Sequence, residues 1–247
     1  MAIDYTKRPK QPAISLEKVQ ATAPGLVNLY KQASVSLEKH SLAGERAAVY
    51  LVLDRSGSMR GYYKDGSVQR LAEQTLGLAA HFDDDGTVPV VFFSTKVDGI
   101  DEVSLDNYQG RIEEVHSRLG HMGQTNYAAA MEAVIDHYQR SGATDPAFVV
   151  FQTDGSPTNR KATTDVLCRA SRLPLFWQFV GFGDDEFAFL RRLDELPVPG
   201  KRAVDNAGFF AAGTNPQAIS DDRLYDLLMS EFPDWLSAAR AQGIVRS

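Results

Sequence analysis

Residues 46–58 read Arg-Ala-Ala-Val-Tyr-Leu-Val-Leu-Asp-Arg-Ser-Gly-Ser. From Ala47 to Leu53 the run is apolar with no alternation, as expected for a strand covered on both faces rather than one. That predicts a central strand. The run ends in Asp54, and Asp54, Ser56 and Ser58 stand at i, i+2 and i+4. Gly57 lets the chain bend sharply, so one carboxylate and two hydroxyls can be aimed at a single point.

Working outward, Val88 to Phe93, Ala147 to Thr153 and Leu175 to Phe182 are further apolar runs, and Gly208 to Ala212 is a short one. Lys96 to Val103 alternates and follows a tight turn at Ser94 and Thr95, which predicts an antiparallel edge hairpin. Val68 to Phe82, Tyr108 to Leu119, Asn126 to Arg140, Lys161 to Ser171, Asp185 to Leu196 and Asp221 to Ala241 read as helices. Strands interleaved with helices are the signature of βα units and a mostly parallel sheet. The expectation is an α/β fold of about six mostly parallel strands with one antiparallel edge strand, flanked by helices. The start of the chain reads differently. After a proline-containing lead (Pro9, Pro12), Ile14 to Ala21 and Gly25 to His40 carry helical spacings broken at Pro24 and Gly25. This predicts a helical extension over 1–45 and a domain over 46–247.

The 247 residues are 43% hydrophobic and 23% charged, which excludes disorder throughout. With 26 Lys and Arg against 32 Asp and Glu, the net charge is −6, and phosphate-tracking proteins need a basic face. Nucleic acid is therefore not expected as a partner. The one cysteine, Cys168, can form no internal disulfide and no zinc site by itself. The first residues lack the apolar core of a secretory signal, and no stretch approaches the roughly 20 apolar residues of a membrane span. A cytoplasmic protein is expected.

In doubly wound sheets, ligands bind beyond the carboxyl ends of the strands, near a switch in strand order. Two buried strands end there in acid followed by a glycine-containing loop: Asp54 to Ser58, and Thr153-Asp154-Gly155. A third segment, Gly120 to Thr125, precedes the helix at Asn126 and brings the Thr125 hydroxyl over the same crevice. These donors are hard oxygens, which suit Mg²⁺ or Mn²⁺ and disfavour soft metals.

Together, D-x-S-x-S at Asp54 to Ser58, the loop Thr125 and the T-D-G at Thr153 to Gly155 resemble the metal-ion-dependent adhesion site of von Willebrand factor A (VWA) domains. The likeness covers roughly Arg46 to Ser247. The run Ser58 to Gln69 looks like the bacterial, TerF-like branch associated with tellurium and toxic-cation resistance, which is related to copines. The resemblance implies a Rossmann-like three-layer fold and a metal site made of Asp54, Ser56, Ser58, Thr125 and Asp154. It implies Mg²⁺, with Mn²⁺ or Ca²⁺ as alternatives. It implies non-enzymatic adhesion: a protein partner supplies an acidic side chain to an open coordination position, and Arg60 to Asp65 and Gly155 to Arg160 read the partner's neighbouring residues. Other tellurium-resistance proteins of a stress-response system are the partners it suggests.

The rival reading is a Mg²⁺-dependent phosphohydrolase with Asp54 as nucleophile. Such an enzyme needs an acid–base partner, and a hydroxyl, Ser56, stands where its second aspartate belongs. No P-loop motif occurs. His81, His116, His121 and His137 have no metal-ligand spacing and read as helix-surface or loop residues. Asp83 to Asp85 reads as a solvated loop, Cys168 as a packed small residue, and Phe176, Trp177 and Phe179 as strand core.

Overall fold

The computed structural model describes residues 11–198 and 200–246. Pro9 and the start of the expected extension lie outside the described residues. Six strands form one sheet: β1 (Ala48–Asp54), β2 (Thr87–Phe93), β3 (Val97–Ser104), β4 (Ala147–Thr153), β5 (Leu175–Phe182) and β6 (Ala207–Gly213). Their order is β3-β2-β1-β4-β5-β6. All pairs are parallel except β2 with β3, the hairpin expected at Ser94 and Thr95.

The chain passes from β1 to β2 on one side and returns to β4 on the other, so the strand order reverses between β1 and β4. Leu53 pairs with Gln152, which sets the ends of the two strands side by side at this switch point. Along β1, Val49, Leu51 and Leu53 enter one core layer while Tyr50 and Val52 enter the other. This is why the run lacks alternation.

The helices are α1 (Leu16–Thr22), α2 (Val27–Lys39), α3 (Arg60–Lys64), α4 (Ser67–Phe82), α5 (Arg111–Arg118), α6 (Tyr127–Ser141), α7 (Arg160–Ala170), α8 (Ala188–Asp194), α9 (Asp221–Leu228) and α10 (Phe232–Ala241). Three differ from expectation for local reasons. The helix expected from Tyr108 starts at Arg111, because Gly110 takes a left-handed φ of 66° just before it. The helix expected from Asp185 starts at Ala188, after Phe187 at φ 49°. The single C-terminal helix expected over Asp221 to Ala241 is two, with a break at Met229 to Glu231 and Pro233 in the first turn of α10, where its missing N–H costs nothing.

Helix α4 contacts both β1 and α2, so it is covered on its inner and outer sides. Its polar residues Ser67, Gln74, Thr75 and His81 are buried accordingly. Gln74 donates to Asp221 at 2.7 Å. His81, contrary to the surface position expected, is 5% exposed, stacks on Tyr30 at 4.0 Å and bonds the Tyr30 carbonyl at 2.8 Å. Burial lowers the His81 pKa to about 4, so the ring is neutral at this contact. Gly77 lets α2 approach: a Cβ there would stand 3.0 Å from that of Leu29.

Leu29 is fully buried in the layer that α2 shares with α4. Leu29→Ala is therefore expected to cost about 2–5 kcal/mol in chemical denaturation. Val35→Ala, on the same helix but 66% exposed, should change stability by less than about 0.5 kcal/mol.

Candidate metal centre

Asp54 is the last residue of β1 and has no exposed surface. Its two carboxylate oxygens are separately held: Oδ1 accepts from the Ser56 amide at 2.6 Å and Oδ2 from the Thr153 hydroxyl at 2.7 Å. Ser56 Oγ lies 3.2 Å from Ser58 Oγ and donates to Asp154 Oδ1 at 3.3 Å. Asp54, Ser56, Ser58 and Asp154 thus converge at the ends of β1 and β4. Gly57 opens a short 3-10 turn without a positive φ, and a Cβ there would meet nothing within 4 Å. The bend does not depend on glycine.

The Thr125 segment is positioned through its backbone. Ser56 and Gly123 form an isolated parallel bridge, with the Gly57 amide donating to the Gly123 carbonyl at 3.1 Å. The Thr125 carbonyl accepts from Thr158 N–H at 2.8 Å and from its hydroxyl at 3.1 Å, so this loop ties the Asp54 loop to the Asp154 loop. Asn126 caps α6 by accepting from Ala129 N–H at 3.3 Å. Gly123 is required here, since a Cβ would sit 2.4 Å from Thr95 Oγ1.

Several residues support the site in roles that sequence reading did not assign them. Arg55, 1% exposed, points away from the crevice. It donates to Asp98 at 2.7 Å, to His116 Nδ1 at 3.1 Å, and to the Leu119 and Gly120 carbonyls at 3.2 and 2.9 Å. His116, read as a surface histidine, also stacks on Tyr63 at 4.0 Å, and Tyr63 donates to the Asp54 carbonyl at 3.1 Å. Burial and then the Arg55 charge lower the His116 pKa, consistent with its accepting from Arg55. Tyr127 donates its hydroxyl to the Gly155 carbonyl and lies 2.8 Å from Thr153 Oγ1. Arg60 to Asp65, expected as a loop, is mostly the short helix α3.

Burial pushes the Asp54 carboxyl up to about 7, against the bonds from Thr153 and Ser56 and with repulsion from Asp154 added. Asp154 is raised as well, chiefly by burial. Two carboxylates and adjacent hydroxyls, with no cationic side chain among the described residues bonded to them, form a donor set that fits a hard divalent cation. Among the described residues no three or more His, Cys, Asp or Glu are placed to hold a metal together, so any site here needs its hydroxyls.

The family described as vWA-TerF-like, "vWA found in TerF C terminus", matches residues 46–245. The chain is 37% identical over 220 residues to the uncharacterized protein YcbR of Bacillus subtilis, covering 87% of this chain and 88% of that one. It is 33% identical over 118 residues to Copine family protein 1 of Caenorhabditis elegans, covering 47% of this chain but 10% of that one. Among solved structures, the SpRpn10 VWA domain superposes with a TM-score of 0.50 at 12% identity, covering 82% of this chain and 98% of that one. That likeness is one of fold.

Removing Arg55 would strand Asp98 and the carbonyls of the Thr125 loop. Arg55→Ala should cost about 3–5 kcal/mol in denaturant titration and speed amide exchange over residues 119–125. A second expectation concerns pH. Because the folded pKa of Asp54 is raised above 3.8, the stability carried by its protonated form is complete below that value and is lost as the pH rises through about 7. Glu231, at about 7, and Asp194, at about 6, are also raised by burial and titrate in the same window. In excess chelator the melting temperature should fall from pH 5 to pH 8, and Asp54→Asn should make that fall smaller; an unchanged pH profile would count against a buried, unpaired Asp54.

Proposed function

The chain belongs to the TerF-like branch of the VWA family, and on that premise we propose that it is a non-enzymatic protein-binding module working through a divalent metal held by Asp54, Ser56, Ser58, Thr125 and Asp154. VWA domains are typically metal-dependent protein-interaction modules and mostly without enzymatic activity. The observation that carries the proposal is the convergence of two carboxylates and two hydroxyls at the switch point, with Arg55 drawn off to Asp98. Mg²⁺ is the cation proposed, with Mn²⁺ or Ca²⁺ as alternatives. Bound there, it supplies positive charge and an open coordination position for an anionic group.

The chain's own residues set the terms of that binding. Thr153 and the Ser56 amide fix the Asp54 carboxylate, while Ser56 and Ser58 would offer neutral oxygens that leave a bound cation's charge only partly neutralised. A partner's acidic side chain then gains a charge-assisted contact. The partner proposed is a protein, with other tellurium-resistance proteins of a bacterial stress response as candidates and the cytoplasm as the setting. Among the described residues no helix is long and apolar enough to cross a membrane. The same reading takes 1–45 as a helical extension and 46–247 as the metal-binding domain, with α1 and α2 adding to its core. A phosphohydrolase is disfavoured, since the hydroxyl of Ser56, a poor general acid, stands where such an enzyme needs a second aspartate.

Chelator-stripped protein titrated with Mg²⁺, Mn²⁺ and Ca²⁺ should show a saturable stabilisation, about 2.7 kcal/mol at a hundredfold excess over Kd. The thermal shift should vanish in Asp54→Ala. No shift with any of the three cations would overturn the proposal.

A further inference from the structure

Helices α7 and α8 and the chain after α8 enclose an open cleft of about 580 Å³. Its floor is apolar: Phe189 and Leu193 are buried and Leu196 is partly so. Its rim is cationic, with Arg160, Arg192 and Lys201 all exposed. The Arg160 guanidinium stands 5.9 Å above the Phe189 ring. Lys161 and Asp165, also at the rim, pair at 2.5 Å and cancel one another. The cleft therefore carries a local positive charge in a chain whose net charge is −6.

Connectivity places the Arg160 end of this cleft toward the carboxyl end of the sheet. Arg160 opens α7 directly after the loop that leaves β4 through Asp154. That loop is pinned to Thr125 through Thr158. Helix α8 likewise follows the end of β5. Cations spread over two helices and a following loop suit a run of separate carboxylates; a single phosphate would call for donors converging on one point. The apolar floor between them suits a hydrophobic side chain of the same segment.

We propose that the α7–α8 cleft docks an acidic peptide segment carrying interspersed apolar residues, as part of the partner whose carboxylate reaches the metal. In its second half this rests on the metal-site reading above; the cleft's own preference does not. The cleft thus supplies specificity that a single carboxylate at a metal cannot, by reading the residues flanking it.

The test uses the full chain and fluorescein-labelled short peptides followed by anisotropy: glutamate with interspersed leucine, the same peptide with lysine for glutamate, and glutamate alone. In excess chelator the glutamate–leucine peptide should bind, the lysine–leucine peptide should not, and glutamate alone should bind more weakly. The double variant Arg160→Glu, Arg192→Glu should weaken binding by about tenfold or more while keeping a cooperative thermal melt, because both side chains are exposed. A lysine variant of both positions, which keeps the charge, should retain most of the binding. Asp54→Ala should remove only the increment gained on adding Mg²⁺. If that increment is absent while cleft binding persists, the metal reading fails and the cleft proposal stands. If the double glutamate variant binds like the parent, if the lysine–leucine peptide binds equally well, or if phosphatidylserine vesicles bind through these residues and the acidic peptide does not, the cleft proposal is overturned.

Discussion

The site is organised by one constraint: a carboxylate with no exposed surface must be held at the end of β1 with no cationic side chain among the described residues paired to it. An unpaired buried charge costs free energy unless it is neutralised or hydrogen-bonded, and Asp54 is provided with two donors, the Ser56 amide and the Thr153 hydroxyl. Both donors come from the strand ends that the switch point brings together. Parallel pairing of β1 with β4 is therefore what makes the carboxylate tolerable, and because burial still raises its pKa, part of the cost is left uncompensated. A hard cation at that point would lower the remaining cost.

The nearest positive charge in sequence is kept out of the crevice. Arg55 follows Asp54 directly, yet its side chain runs to the opposite side of the loop, into Asp98, His116 and two loop carbonyls. Ser94 joins the same network, donating to Asp98 at 2.9 Å and accepting from the Asn126 amide at 2.8 Å. The turn between β2 and β3 thus acts as a shelf under the Thr125 loop, with Gly123 pressed against it. Alternating direction along an extended backbone separates the two roles: Asp54 faces the donors, and Arg55 the scaffold.

How much of this was legible in the sequence follows from the range of each interaction. Strands were legible because a two-sided core demands uninterrupted apolar runs, and the D-x-S-x-S and T-D-G segments because short spacings fix direction locally. The Arg55 network was not, because its partners lie on β3, on α5 and in the loop after it, and no periodicity links them. His81 misled for a related reason: a polar residue in a helix reads as exposed unless a second layer covers it, and α2 covers α4. The near-continuous run Thr75-Leu76-Gly77-Leu78-Ala79-Ala80 was the available signal, since it leaves the second half of α4 no polar stripe. The break between α9 and α10 was also available, in Pro233 one residue inside the second helix.

Charge decides how these parts act together. A net charge of −6 opposes an acidic partner at long range, but at physiological salt the screening length is about 8 Å, so the sign of the whole chain matters little once surfaces touch. What matters is which charges lie at the contact. The crevice alone presents oxygens and would repel a carboxylate, whereas the α7–α8 rim presents exposed arginine and lysine. Attraction at the rim would not require a metal; attraction at the crevice would. An acidic segment long enough to lie on both would be held by the cleft regardless of cation and locked at the crevice only when one is bound. The divalent ion would then set how long the complex persists more than whether it forms, because charges at the periphery of a contact govern encounter, while the desolvated contact at its centre governs release.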